Sequence, residues 1–151
     1  MRITLSKPSG KSGRTEGGGG SGAEICFDET EAMIAIDINS SKSRGGKDHP
    51  DTILRTNMEA AEEIGRQLKV RNVGGLVVID FIDMRSRQDQ RKVYQKMKDI
   101  MRKDRAKGRI LPISKLGLMQ MTRQRQYASV ESATYEPCEY CSGRGLVKSL
   151  T

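Results

Sequence analysis

Leu76 to Phe81, LVVIDF, constrains the fold more than any other segment. It reads as one apolar strand carrying a single acidic residue, Asp80, and such a run suits a strand covered on both faces. Asn72-Val73-Gly74-Gly75 precedes it and breaks any helix that arrives there. The surrounding chain has little apolar material to spare. Leu, Ile, Val and Phe make up 30 of 151 residues, which borders on the disordered range. A small core is possible if part of the chain stays outside it.

The part left outside is visible in the composition. Residues 7–22, KPSGKSGRTEGGGGSG, hold no large apolar side chain and read as a flexible linker or long loop. Met1 to Leu5 adds at most one short strand before it. The division expected is 1–23 as strand and linker, 24–130 as one compact subdomain, and 131–151 as a cysteine-bearing tail.

Within 24–130 the pattern alternates. Glu24 to Asp28 reads as a strand. Ala32 to Asn39 reads as a second, with Ile34, Ile36 and Ile38 on one face and Met33, Ala35, Asp37 and Asn39 on the other. Asp48-His49-Pro50 starts a helix, with Asp48 or His49 as cap and Pro50 in the first turn. That helix runs to about Lys69 and buries Leu54, Met58, Ala61, Ile64 and Leu68. A second spans about Ser86 to Lys107, with Val93, Met97, Ile100 and Met101 inward. Arg109 to Ile113 is a strand, and Leu116 to Met121 is apolar without a clear period. The order β-β-α-β-α-β predicts an α/β fold, a mixed sheet flanked by helices, with a C-terminal zinc-knuckle extension.

Charge is unevenly placed. The formal net charge is +8. Arg85 to Arg109 alone contributes that amount, whereas Glu24 to Glu63 is acidic. A basic element beside an acidic one suits a polyanion partner and a cation site, although a solvated helix face gives the same count. No apolar run reaches the roughly 20 residues of a membrane helix, and the N-terminus lacks the apolar region of a signal peptide. Three cysteines exclude a disulfide scaffold. A soluble, cytoplasmic, reduced protein is expected.

Three constellations carry chemistry. Asp37 and Asp80 each sit near the carboxyl end of an apolar strand, where ligands bind in open α/β sheets. If the strands are neighbours, the carboxylates converge as magnesium requires, with waters and phosphate oxygens completing the shell. Asn39 lies on the same face, where its amide can orient a phosphate or a water; Asp83 has the opposite parity and stands behind. The alternative is that strand-end aspartates only cap helices or form turns. Second, Cys138-x-x-Cys141 with Gly143 and Gly145 has zinc-knuckle spacing. Four ligands are needed and the knuckle supplies two, so the count favours one zinc shared by two chains. Cys26 reads as a small core residue. A redox reading is weaker because no thioredoxin-like helix follows. Third, KLGLMQMTRQR places Lys115, Arg123 and Arg125 as candidate phosphate ligands or as ordinary surface cations.

AIDINS, RGG, TNMEAAEEIGRQLKVRNVGGLVVIDFIDM, ISKLGLMQMTRQR and PCEYCSGRG occur in that order. Together, over residues 24 to 147, they resemble the ribonuclease E/G endoribonucleases. The resemblance implies a deoxyribonuclease-I-like catalytic subdomain followed by a zinc link. It implies magnesium at Asp37 and Asp80, a catalytic role for Asn39, and a zinc held by Cys138 and Cys141 that joins two protomers into a homodimer. It implies hydrolysis of single-stranded RNA in RNA processing and decay. The family's preceding S1, 5′-sensor and ribonuclease-H-like parts do not fit in the first 36 residues, so a piece of the enzyme or a stripped-down homologue is expected. The competing class is a non-catalytic, zinc-linked RNA-binding or scaffolding module. A membrane-anchoring role for the basic helix is disfavoured, since its apolar stripe is narrow and has no Trp or Phe.

Overall fold

The computed structural model describes residues 2–4, 23–39 and 49–125. Strands β1 (Arg2–Thr4), β2 (Glu24–Glu29) and β3 (Met33–Asn39) precede helix α1 (Pro50–Val70). Then come β4 (Gly75–Asp80), helix α2 (Arg87–Arg102), β5 (Gly108–Ile110) and β6 (Leu118–Arg123). The strands form one mixed sheet in the order β1-β2-β3-β4-β6-β5. Among these strands only the central β3–β4 pair is parallel. A parallel pair needs a crossover, and α1 provides it.

The alternation in MIAIDIN decides which face is buried. Ile34, Ile36 and Ile38 are buried while Ala35, Asp37 and Asn39 are exposed. In β4, Val77 and Ile79 point the same way as the isoleucines, and Met119 and Met121 do so in β6. Both helices cover this inner face, with Ala60, Ala61, Ile64 and Leu68 of α1 and Val93 and Met97 of α2 in one core. The helix entry is as the sequence predicts. His49 is the N-cap, its Nδ1 accepting from the Asp51 N–H at 3.4 Å, and Pro50 occupies the first helical position. After α1, Asn72 adopts a left-handed φ of 50°, a conformation asparagine tolerates.

Four expectations change. β4 is not covered on both faces by the described residues: Leu76 is 40% exposed and Val78 half-buried, because α1 and α2 pack side by side on one face. Helix α2 stops at Arg102 instead of running to Lys107. There the Asp104 carboxylate accepts the Ala106 N–H at 3.1 Å and turns the backbone out of the helix. The strand after it is shorter and earlier than Arg109–Ile113, since Pro112 has no N–H to continue a ladder. The ambiguous stretch Leu116–Met121 resolves into β6. No helix among the described residues is long and apolar enough to cross a membrane. Cys138 and Cys141, with the rest of the 131–151 tail and the whole 7–22 linker, lie outside the described residues.

Gly65 shows how tightly the helices meet. A Cβ there would collide with Cγ2 of Ile100 on α2. Alanine gains about 1 kcal/mol of helix propensity, but overpacking costs about 1–3 kcal/mol. Gly65→Ala is therefore expected to lower the chemical-denaturation midpoint. Ile100→Ala combined with it should cost less than the two single effects added, which a double-mutant cycle measures.

Candidate functional site

Register sets the site. Ile36 stands opposite Ile79 and Asp37 opposite Asp80 across the parallel pair. The neighbouring inward isoleucines leave both carboxylates on the helix-free face, at the carboxyl ends of adjacent strands about 4.8 Å apart. Cys26 of β2 is opposite Asp37 on its other side. Asn39 lies two residues beyond Asp37 on the same face, its Nδ2 3.9 Å from the Cys26 sulfur. Cys26 is thus half-buried beside the acidic pair, not a core residue as its place in an apolar strand suggests. The inward positions of β2 are Ile25 and Phe27, which leaves Cys26 on the opposite face.

The carboxylates repel one another. Partial desolvation of the Asp80 carboxyl, then the negative charges of Asp37 and Asp83, push its pKa above the ordinary aspartate range. This desolvation is local to the carboxyl, since Asp80 as a residue is exposed. Such a cluster of unneutralised carboxylates fits a hard divalent cation. Among the described residues no three His, Cys, Asp or Glu side chains form a complete metal cage. Magnesium does not ask for one, since it retains waters and takes one or two carboxylates.

The connection that carries Asp83 is pinned from the core. Asn57, fully buried on α1, donates from Nδ2 to the Ile82 carbonyl at 2.8 Å. Its Oδ1 accepts from the Ile82 N–H at 3.1 Å. Gln90 donates to the Met84 carbonyl at 2.9 Å. From the β5–β6 side, Gly117 (φ +82°) comes close enough that a Cβ would lie 3.3 Å from Asp83 Oδ1. Sequence reasoning missed Asn57. Its signal was a polar residue inside the apolar stripe between Leu54 and Ala61.

The three candidate phosphate ligands part company. Lys115 is exposed in the β5–β6 connection. Arg125 is partly exposed and 3.3 Å from Glu29. Arg123 is not available to a ligand: its side chain is 4% exposed. Its Nε and Nη2 donate to Asp104 at 2.7 and 3.2 Å, and Nη1 donates to the Val73 carbonyl at 2.6 Å. The phosphate-ligand expectation for Arg123 gives way to a structural one, because β6 parity turns it inward. His49 acts as the helix cap, next to Asp51.

A model described as the Ribonuclease E/G family matches residues 19–126. The chain is 49% identical to Ribonuclease E of Haemophilus influenzae over 128 residues, 85% of this chain and 14% of that protein. It is 47% identical to Ribonuclease E of Escherichia coli K12 over 128 residues, 85% of this chain and 12% of that protein. It is 42% identical to Ribonuclease G of Escherichia coli K12 over 130 residues, 86% of this chain and 27% of that protein. The chain therefore spans about an eighth of the Ribonuclease E relatives and about a quarter of the Ribonuclease G relative.

The Arg123–Asp104 pair should govern acid stability. Burial pushes the Asp104 carboxyl up, but hydrogen bonds from Arg123 and the Ala106 N–H, with the Arg123 and Lys69 charges, bring it below the ordinary value. A carboxylate lowered on folding contributes stability above its unfolded value of about 4 and loses it as pH falls through the folded one. Asp104→Asn leaves a buried, uncompensated guanidinium and is expected to cost about 3–5 kcal/mol at neutral pH. The gap to the parent should narrow on acidification, read by urea titrations across the acid range. Arg125→Ala, by contrast, should cost no more than about 1 kcal/mol.

Proposed function

The chain belongs to the Ribonuclease E/G family, and on that premise we propose that it is the catalytic subdomain of a magnesium-dependent endoribonuclease acting on single-stranded RNA. The register that sets Asp37 beside Asp80 carries this reading. Asp37 and Asp80 would hold the ion, and Asn39 would orient a phosphate oxygen or the attacking water through its amide. When bound, magnesium supplies positive charge to the phosphodiester and makes water a better nucleophile. The two carboxylates fix that charge at the sheet edge, where both strands end and the phosphate can approach. Nothing in the arrangement calls on the ribose 2′-hydroxyl, so a 5′-phosphate product follows from attack by water. Lys115 stands near this edge as a phosphate ligand, whereas Arg125 lies beyond the amino end of β4, beside Glu29, and is remote from the paired aspartates. RNA processing and decay in the cytoplasm is the proposed setting.

Cleavage of a fluorogenic single-stranded RNA with magnesium tests the site. Activity should vanish with EDTA, in Asp37→Asn and in Asp80→Asn. Neither substitution should lower the melting temperature of the metal-free protein, because each removes like-charge repulsion. Magnesium should raise the parent's melting temperature and leave those of the variants unchanged. A parental cleavage rate in Asp37→Asn would overturn the metal assignment.

Cys138 and Cys141 are proposed to hold one zinc between two copies of the chain. Each knuckle offers two thiolates, and two knuckles complete a tetrahedral set. Metal analysis should give one zinc per two chains, and sedimentation a dimer that a strong chelator splits. Cys138→Ser should lose zinc and dimer together, whereas Cys26→Ser should lose neither. One zinc per monomer would refute the shared site.

A further inference from the structure

The cations of α2 and its flanks fall into two groups. Lys92 is 3.1 Å from Asp89, Lys96 pairs with Glu62 on α1, and Arg102 is 3.6 Å from Asp99. Among the described residues Arg85, Arg87, Arg91 and Lys115 have no ion-pair partner at the start of α2, and Lys98, Lys103, Lys107 and Arg109 have none toward and beyond its end. Arg87, Arg91 and Tyr94 recur at helical spacing along one stripe. With Arg85, Pro112 and Lys115 they line a groove of about 480 Å³ between the first turns of α2 and the β5–β6 connection. Through Arg85 and Lys115 it joins a larger groove of about 1240 Å³ lined by Asp83, whose charge acts on Asp80 just outside it.

We propose that this groove is a second binding element, one that holds the phosphate backbone of single-stranded RNA as it passes to or from the paired aspartates. The inference rests on the reading of those aspartates as an RNA-cutting centre. Three arginines and a lysine from two separate elements form a row of donors rather than a single anion pocket. Arginine forks suit phosphate oxygens. A half-buried tyrosine beside cations is the combination that tracks a single strand, with base stacking on the ring. The start of α2 adds the positive end of its dipole. An acidic polypeptide would meet the same cations, but it gains nothing from the aromatic wall.

The test uses the full chain in EDTA, so that no cleavage occurs, and a fluorescein-labelled 12-nucleotide RNA read by anisotropy across a salt series. The groove variant carries Arg85→Gln, Arg87→Gln, Arg91→Gln and Lys115→Gln. A comparator removes the same charge at the far end of α2, with Lys98→Gln, Arg102→Gln, Lys103→Gln and Lys107→Gln. Melting curves establish that both fold. The slope of log K against log salt should flatten by about 0.7 for each phosphate that the protein no longer neutralises. That amounts to as much as about 3 in the groove variant and far less in the comparator. Tyr94→Leu should weaken binding about fivefold or more, and Tyr94→Phe should not. Equal flattening in both quadruple variants would overturn the groove. So would an unchanged affinity of the groove variant for RNA alongside abolished binding to polyglutamate or to phosphatidylserine vesicles. Groove-dependent RNA binding by a parent that does not cleave would sink the proposed reaction and leave the groove standing. Normal cleavage with groove-independent binding would sink the groove alone.

Discussion

Everything at the carboxyl edge follows from the parity of one parallel strand pair. Burying Ile34, Ile36 and Ile38 against α1 turns Asp37 and Asn39 to the opposite face, and burying Val77 and Ile79 does the same for Asp80. A slip of one residue in β4 would bring Val78 and Asp80 inward and expose Val77 and Ile79. The core therefore enforces the carboxylate pair: the repulsion between Asp37, Asp80 and Asp83 cannot relax without surrendering buried isoleucine. Partial desolvation, and after it that repulsion, raise the Asp80 carboxyl. Electrostatic cost held in place by apolar packing marks a candidate functional site.

The parts legible in the sequence were those fixed by short-range periodicity. Alternation in MIAIDIN gave β3 and its faces, and the His49-Pro50 start gave the entry of α1 because capping chemistry is local. The parts misread depended on partners distant in the chain. Whether Leu76 and Val78 are covered turns on where both helices land, which an apolar run does not reveal. Asp104, whose local bond to the Ala106 N–H turns the chain out of α2, is itself held by Arg123, nineteen positions away. Arg123 and Cys26 were both misplaced for one reason: in a strand of undetermined register, residue type does not tell which face a side chain takes. A buried arginine and a half-exposed cysteine are outcomes of parity, not of hydrophobicity.

Net charge concealed a similar distinction. The basic stretch from Arg85 to Arg109 is one excess in the sequence, but folding divides it. Asp89, Asp99 and Glu62 neutralise one set of side chains in exposed pairs that contribute little to stability. The stripe that includes Arg87 and Arg91 keeps its charge toward solvent. Arg123, beyond the stretch, reaches back to Asp104 and ties the end of β6 to the turn after α2. The field a polyanion meets is thus set by the unpaired subset, of which Arg85, Arg87 and Arg91 stand at the end of α2 nearest Asp83.

Asn57 is where core and site meet. An amide at a fully buried helix position is costly unless both of its ends are satisfied. Here both are satisfied by one residue, Ile82. The chain leaving β4 is held at its second residue beyond Asp80, just before Asp83 and three residues before Arg85. A leucine, branched at the same position, would be apolar there without specifying where Ile82 sits. The buried amide thus turns the packing of α1 into a fixed path for the segment that joins the carboxylate pair to the basic groove. With Gly117 closing on Asp83 from the other side, that path is defined by side chains and backbone from separate elements, none of which carries the paired carboxylates.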